Sequence, residues 1–121
     1  MTLAAILAAV ISFYAPLSLA GDNVATMAGI VLELQHFPSD AAKASLAEIV
    51  NGDATDAEKT VATAIAGIQH KVSDADRAAL EAVAGDESQS AGLRTLAGIV
   101  AGINHVPGAE AKAALQELAG G

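Results

Sequence analysis

The chain has 121 residues, 53% of them hydrophobic but only 2% aromatic, no cysteine, and a formal net charge of −8 at pH 7. An acidic surface repels phosphate backbones and argues against nucleic acid as a partner, while the missing cysteines exclude disulfide and thiol chemistry. A chain of this size is one small domain, and its interior must be built from Ala, Leu, Ile and Val, which leaves little aromatic surface to line a ligand pocket.

The first twenty residues differ in kind from the rest. Every charged side chain lies at Asp22 or later, and Leu3 to Ala15 forms an apolar run of the length of a signal peptide's hydrophobic core. Pro16 breaks that run, and Ser18-Leu19-Ala20 places small residues at the −3 and −1 positions of a cleavage site. The departure from the pattern is at the front, where no Lys or Arg follows Met1. The expectation is that residues 1–20 are a signal peptide and that the mature protein is periplasmic or secreted. A membrane is a partner only if the segment stays uncleaved, and Pro16 and the short span weigh against an anchor.

Residues 21–121 carry one block three times. The copies read QHFPSDAAKASLAEI from Gln35, QHKVSDADRAALEAV from Gln69 and NHVPGAEAKAALQEL from Asn104, with units at about 22–53, 54–86 and 87–121. His36, His70 and His105 are spaced by 34 and 35 residues; Lys43, Arg77 and Lys112 follow them by seven, and Leu46, Leu80 and Leu115 by ten. Thr26, Thr60 and Thr95 precede them by ten. A period in this range is the signature of stacked supersecondary units. Tetratricopeptide arrays have units of similar length, but the aromatic positions of their consensus are absent here.

Within a unit the hydrophobic period is helical. Val61, Ala64, Ile65 and Ile68 follow the i, i+3, i+4, i+7 rule, as do Leu96, Ile99, Val100 and Ile103. The second helix of each unit is shorter, with stripes at Leu46, Ile49 and Val50, then Leu80, Val83 and Ala84, then Leu115 and Leu118. Ser39 and Ser73, each followed by Asp, read as N-caps; Thr55 with Glu58 reads as a capping box. Asn51-Gly52 and Gly85 end second helices, while Pro38 and Pro107 stop the first ones from running on. Gly29, Gly67, Gly98 and Gly102 suggest close backbone approach between neighbouring helices, because each costs helix stability of about 1 kcal/mol against Ala. The fold class is all-α: three tandem αα-hairpin repeats, six helices in all, forming a short solenoid or a closed bundle after the signal peptide.

The three histidines are the candidate site. The period places each in the last turn of a first helix, where free carbonyls favour an imidazole as a cap. A duplicated segment copies such a cap without any ligand. Metal binding needs ring nitrogens within about 2.1 Å of one ion. In an open stack, equivalent residues are separated by roughly 8–10 Å per neighbour; in a closed, pseudo-threefold bundle they could meet on the axis. The expectation is that regular stacking keeps the rings apart, with a shared metal or haem site at His36, His70 and His105 as the alternative and a partner-facing row as another.

Other motifs are weaker. Asp53, Asp56 and Glu58 miss the spacing of a calcium loop and suit helix starts instead. Ser88 and Ser90 lack the strand-turn-helix setting of an activated nucleophile. Lys43, Arg77 and Lys112 read as solvated faces paired with helix-start acids. The expected function is therefore an exported, non-enzymatic binding or structural module with no cofactor, whose partner class is another protein. A periplasmic metal or haem carrier is the first alternative and a small enzyme the second. Export gives a direct measurement: the intact mass of protein from its native host should correspond to a chain beginning at Gly21. A full-length mass in a soluble cytosolic fraction would refute cleavage after Ala20.

Overall fold

The computed structural model describes residues 21–104 and 106–120, so the expected signal peptide and its cleavage site at Ala20 lie outside the described residues. Six helices and no named strand occur among the described residues: α1 Gly21–Leu32, α2 Asp40–Asn51, α3 Asp56–Ala66, α4 Asp74–Ala84, α5 Ala91–Ala101 and α6 Ala109–Gly120. The all-helical reading holds.

The helices begin where side chains satisfy free backbone donors. Ser39 Oγ accepts from Ala42 N–H at 3.1 Å and Ser73 Oγ accepts from Asp76 N–H at 3.1 Å. Thr55 and Glu58 complete a reciprocal capping box, each side chain accepting the other's backbone N–H at 3.1 Å. Ser90, weighed in the sequence only as a nucleophile, caps α5 by accepting from Leu93 N–H at 3.1 Å. The segment before it is held by the Asp86 carboxylate, which accepts from the Ser88 hydroxyl, the Gln89 amide and the Ser88 backbone. Those bonds favour the ionised form and hold the Asp86 carboxyl below the usual range.

Glycines end the helices rather than bringing them together. The backbone N–H groups of Gly52, Gly67, Gly85 and Gly102 donate to last-turn carbonyls of Ile49, Thr63, Glu81 and Ile99. This corrects the close-approach expectation. A Cβ built on Gly29 meets nothing within 4 Å, and one on Gly98 would only touch Ala84 Cβ at 4.0 Å. Each of these caps keeps a negative φ, so the bonds do not themselves require glycine; only at Gly52 would an added Cβ collide, 2.9 Å from the Glu48 carbonyl oxygen.

The helices pack in pairs, and the pairs cross the unit boundaries. The most extensive packing joins α2 to α3, α4 to α5 and α6 to α1. Helices α1, α3 and α5 also contact one another. Their shared interior is layered by equivalent residues: Met27, Val61 and Leu96; Ala28, Ala62 and Ala97; Val31, Ile65 and Val100. All nine are fully buried. The alanine layer keeps the inner helices close, since it adds little side-chain thickness between backbones. Leu46, Leu80 and Leu115, one from each second helix, are 0% exposed, a burial that stabilises by about 1.5–3 kcal/mol per side chain. No polar or charged residue is buried among the described residues.

Phe37 does not join this interior. It is 58% exposed. Arg77 also departs from a solvated face: it is half-buried, and its Nε is buried without a hydrogen-bond partner.

The cap assignments predict graded losses of stability. Replacing Ser73 by Ala should lower unfolding free energy by about 0.5–2 kcal/mol. Leu80→Ala should lower it by about 2–5 kcal/mol. Chemical denaturation followed by circular dichroism checks both, and equal losses would contradict the assignment of one to a surface cap and the other to the core.

Candidate functional site at the histidine turns

Each connection from an inner helix to the next helix is a short turn anchored on both sides. Leu34 and Pro38, Ile68 and Val72, and Ile103 and Pro107 are buried, four residues apart in every case. Between them the chain must rise to the surface and return within three residues. Gln35, His36 and Phe37, like Gln69, His70 and Lys71, are exposed at that apex. The residues flanking each apex pair across it: Gln35 with Phe37, Gln69 with Lys71, and Asn104 with Val106.

So tight a reversal imposes an unusual backbone. His36 and His70 have φ of +72° and +73° and are the positive-φ residues other than glycine among those described. Phe37 N–H donates to Gln35 carbonyl at 2.7 Å across His36, the three-residue bond of a γ-turn in its rarer, more strained form. Left-handed backbone costs a residue with a Cβ roughly 1–2 kcal/mol, and histidine is among the side chains found there more often than most. Both histidines lie beyond the ends of α1 at Leu32 and α3 at Ala66. The expectation that they sit in the last helical turn and cap it is therefore corrected.

The expectation that stacking holds the rings apart is also corrected. His70 N–H donates to the His36 carbonyl at 2.6 Å, tying one apex to the other through the backbone. The imidazoles meet with Nδ1 to Nδ1 at 3.3 Å. Their centroids are 5.1 Å apart at an interplanar angle of 64°. Two residues separated by 34 positions are thus side by side because α1 and α3 touch and both end in the same turn. His105, the third sequence candidate, lies outside the described residues.

Phe37 and Val106, at 58% and 42% exposure, are the large hydrophobic side chains left open to solvent among the described residues. Phe37 also rims a cleft of about 450 Å³ between the end of α1 and the start of α2, shared with Ile30, Leu34, Pro38 and Ala42. Asp53, the remaining member of the rejected calcium fragment, lines a separate cleft with Asn23, Thr26 and Glu48. Among the described residues, no group of three His, Asp or Glu side chains is placed to hold a metal ion. No protein-family model, curated protein or solved structure matches the chain.

The backbone conformation separates two roles for the histidines. If the turn were all that mattered, glycine would serve it at lower steric cost. His36→Gly and His70→Gly should each be more stable than the corresponding Ala variant by about 1 kcal/mol. Thermal unfolding compares them, and an Ala variant as stable as the Gly variant would mean the turn is not strained.

Proposed function

We propose that this protein is an exported, non-enzymatic helical binding module whose ligand sits on the apex where the histidine turns gather. The observation that carries the reading is the Nδ1 to Nδ1 approach of 3.3 Å between two exposed residues 34 positions apart. The backbone bond from His70 to His36 already ties the turns, so the imidazoles are not needed for that tie. They occupy positions that glycine would take more cheaply. Strained backbone retained at an exposed polar cluster points to use of the side chains.

The architecture that suits this role is a closed ring of three repeated units. The last helix packs on the first, and the equivalent leucines of all three second helices are equally buried. Closure replaces the capping units that an open stack needs at its ends. The turns of His36 and His70 meet at one end of the ring, and His105 is the matching histidine of the sequence repeat. Export is supported by the uncharged segment ending Ser18-Leu19-Ala20. Among the described residues no helix is long and apolar enough to cross a membrane. The acidic charge of −8 favours cationic ligands or basic protein surfaces over nucleic acid.

Native mass spectrometry of protein taken from its host tests the reading without presuming the ligand. A mass above that of the polypeptide is expected, and the excess should vanish in the His36→Gly/His70→Gly variant with circular dichroism unchanged. A bare polypeptide, or an adduct that survives in the double variant, would refute a ligand at the apex.

A further inference from the structure

We propose that the ligand is a single tetrahedral transition-metal ion of the zinc class, held by the Nδ1 atoms of His36 and His70. This rests on the apex being the binding site and names the chemistry it takes. Two imidazole nitrogens bound tetrahedrally to one ion at about 2.0–2.1 Å stand about 3.3–3.4 Å apart. The two Nδ1 atoms are 3.3 Å apart. Octahedral neighbours at about 2.1 Å would stand closer, at about 3.0 Å. The hard cations magnesium and calcium also require oxygen donors, whereas imidazole suits zinc, copper, nickel and iron. In the structure this contact is a hydrogen bond between the rings, and donor type and separation together match the tetrahedral case.

The pair is organised before any ion arrives. Leu34 and Pro38 fix one turn in the interior and Ile68 and Val72 fix the other, while the 2.6 Å backbone bond sets their relative position. Little conformational freedom remains to be lost on binding, which favours affinity. The net charge of −8 raises the local concentration of cations. The pair leaves the other tetrahedral positions for water or for donors outside the described residues.

Full-length protein, stripped with a chelator and dialysed, is titrated with cobalt(II) and, separately, with zinc in a calorimeter. The expected result is the intense visible absorption of tetrahedral cobalt, and zinc binding at one equivalent with submicromolar affinity. His36→Gly and His70→Gly should each weaken zinc by more than the roughly 100-fold that changes outside the ligand shell reach. Lys71→Ala, on the same turn, should bind as the parent does. Glycine is chosen because it adopts positive φ without strain, and circular dichroism confirms that each variant is folded.

Zinc binding no tighter than in the His36→Gly/His70→Gly variant, or a weak octahedral cobalt spectrum, overturns the proposal. A non-metal adduct in native mass spectra that is lost in that double variant also overturns it, while leaving the binding module intact. Absence of both adduct and metal binding removes both readings.

Discussion

The mutual contact of α1, α3 and α5 is the constraint on which the rest of the molecule depends. Helices separated by a turn, a second helix and another turn can meet only if their facing side chains match in level and bulk. Ala28, Ala62 and Ala97 form such a level, with larger aliphatic residues on the layers beside them. An interior of this kind gains its free energy from many small apolar contacts and not from a few aromatic ones. It also has no buried polar residue to satisfy among those described, so uniqueness must come from shape. The caps and glycine stops add to that uniqueness by limiting where each helix can begin and end.

Once the inner helices touch, the position of the turns follows. Leu34 and Ile68 close the buried layers of α1 and α3, and the next two residues of each chain segment are forced outward. Both chains must then return within a few residues to bury Pro38 and Val72. Positive φ at His36 and His70 is the backbone's answer to that geometry. The side chains at the apex are set against one another by the same contact that closes the core. Site and core are thus mechanically continuous: a change that separated α1 from α3 would also open the Nδ1 pair.

The exposed apolar residues fit this picture as consequences of position. Phe37 immediately follows a positive-φ residue at the apex and stays largely in solvent on the rim of the cleft, unlike the buried Pro38 one residue on. Val106 occupies the matching place in the third unit. Lys71 in the second unit shows that the position does not demand an apolar side chain.

The sequence by itself determined the helices and most of their caps. Those features are local: periodicity shows which stripe of a helix is apolar, and Ser39, Thr55 with Glu58, and Ser73 act on backbone groups within three residues. Ser90 was missed because its capping function requires knowing that α5 starts at Ala91. Only the tertiary structure decided that α2 packs on α3, α4 on α5 and α6 on α1, because a buried stripe does not specify the surface that covers it. The same holds for the histidines. Apolar residues two positions before and after each His, at Leu34 and Pro38 or Ile68 and Val72, signal an apex in the sequence. The 3.3 Å meeting of His36 and His70 exists only because separate inner helices come into contact, and no spacing along a chain encodes a distance between two of its turns.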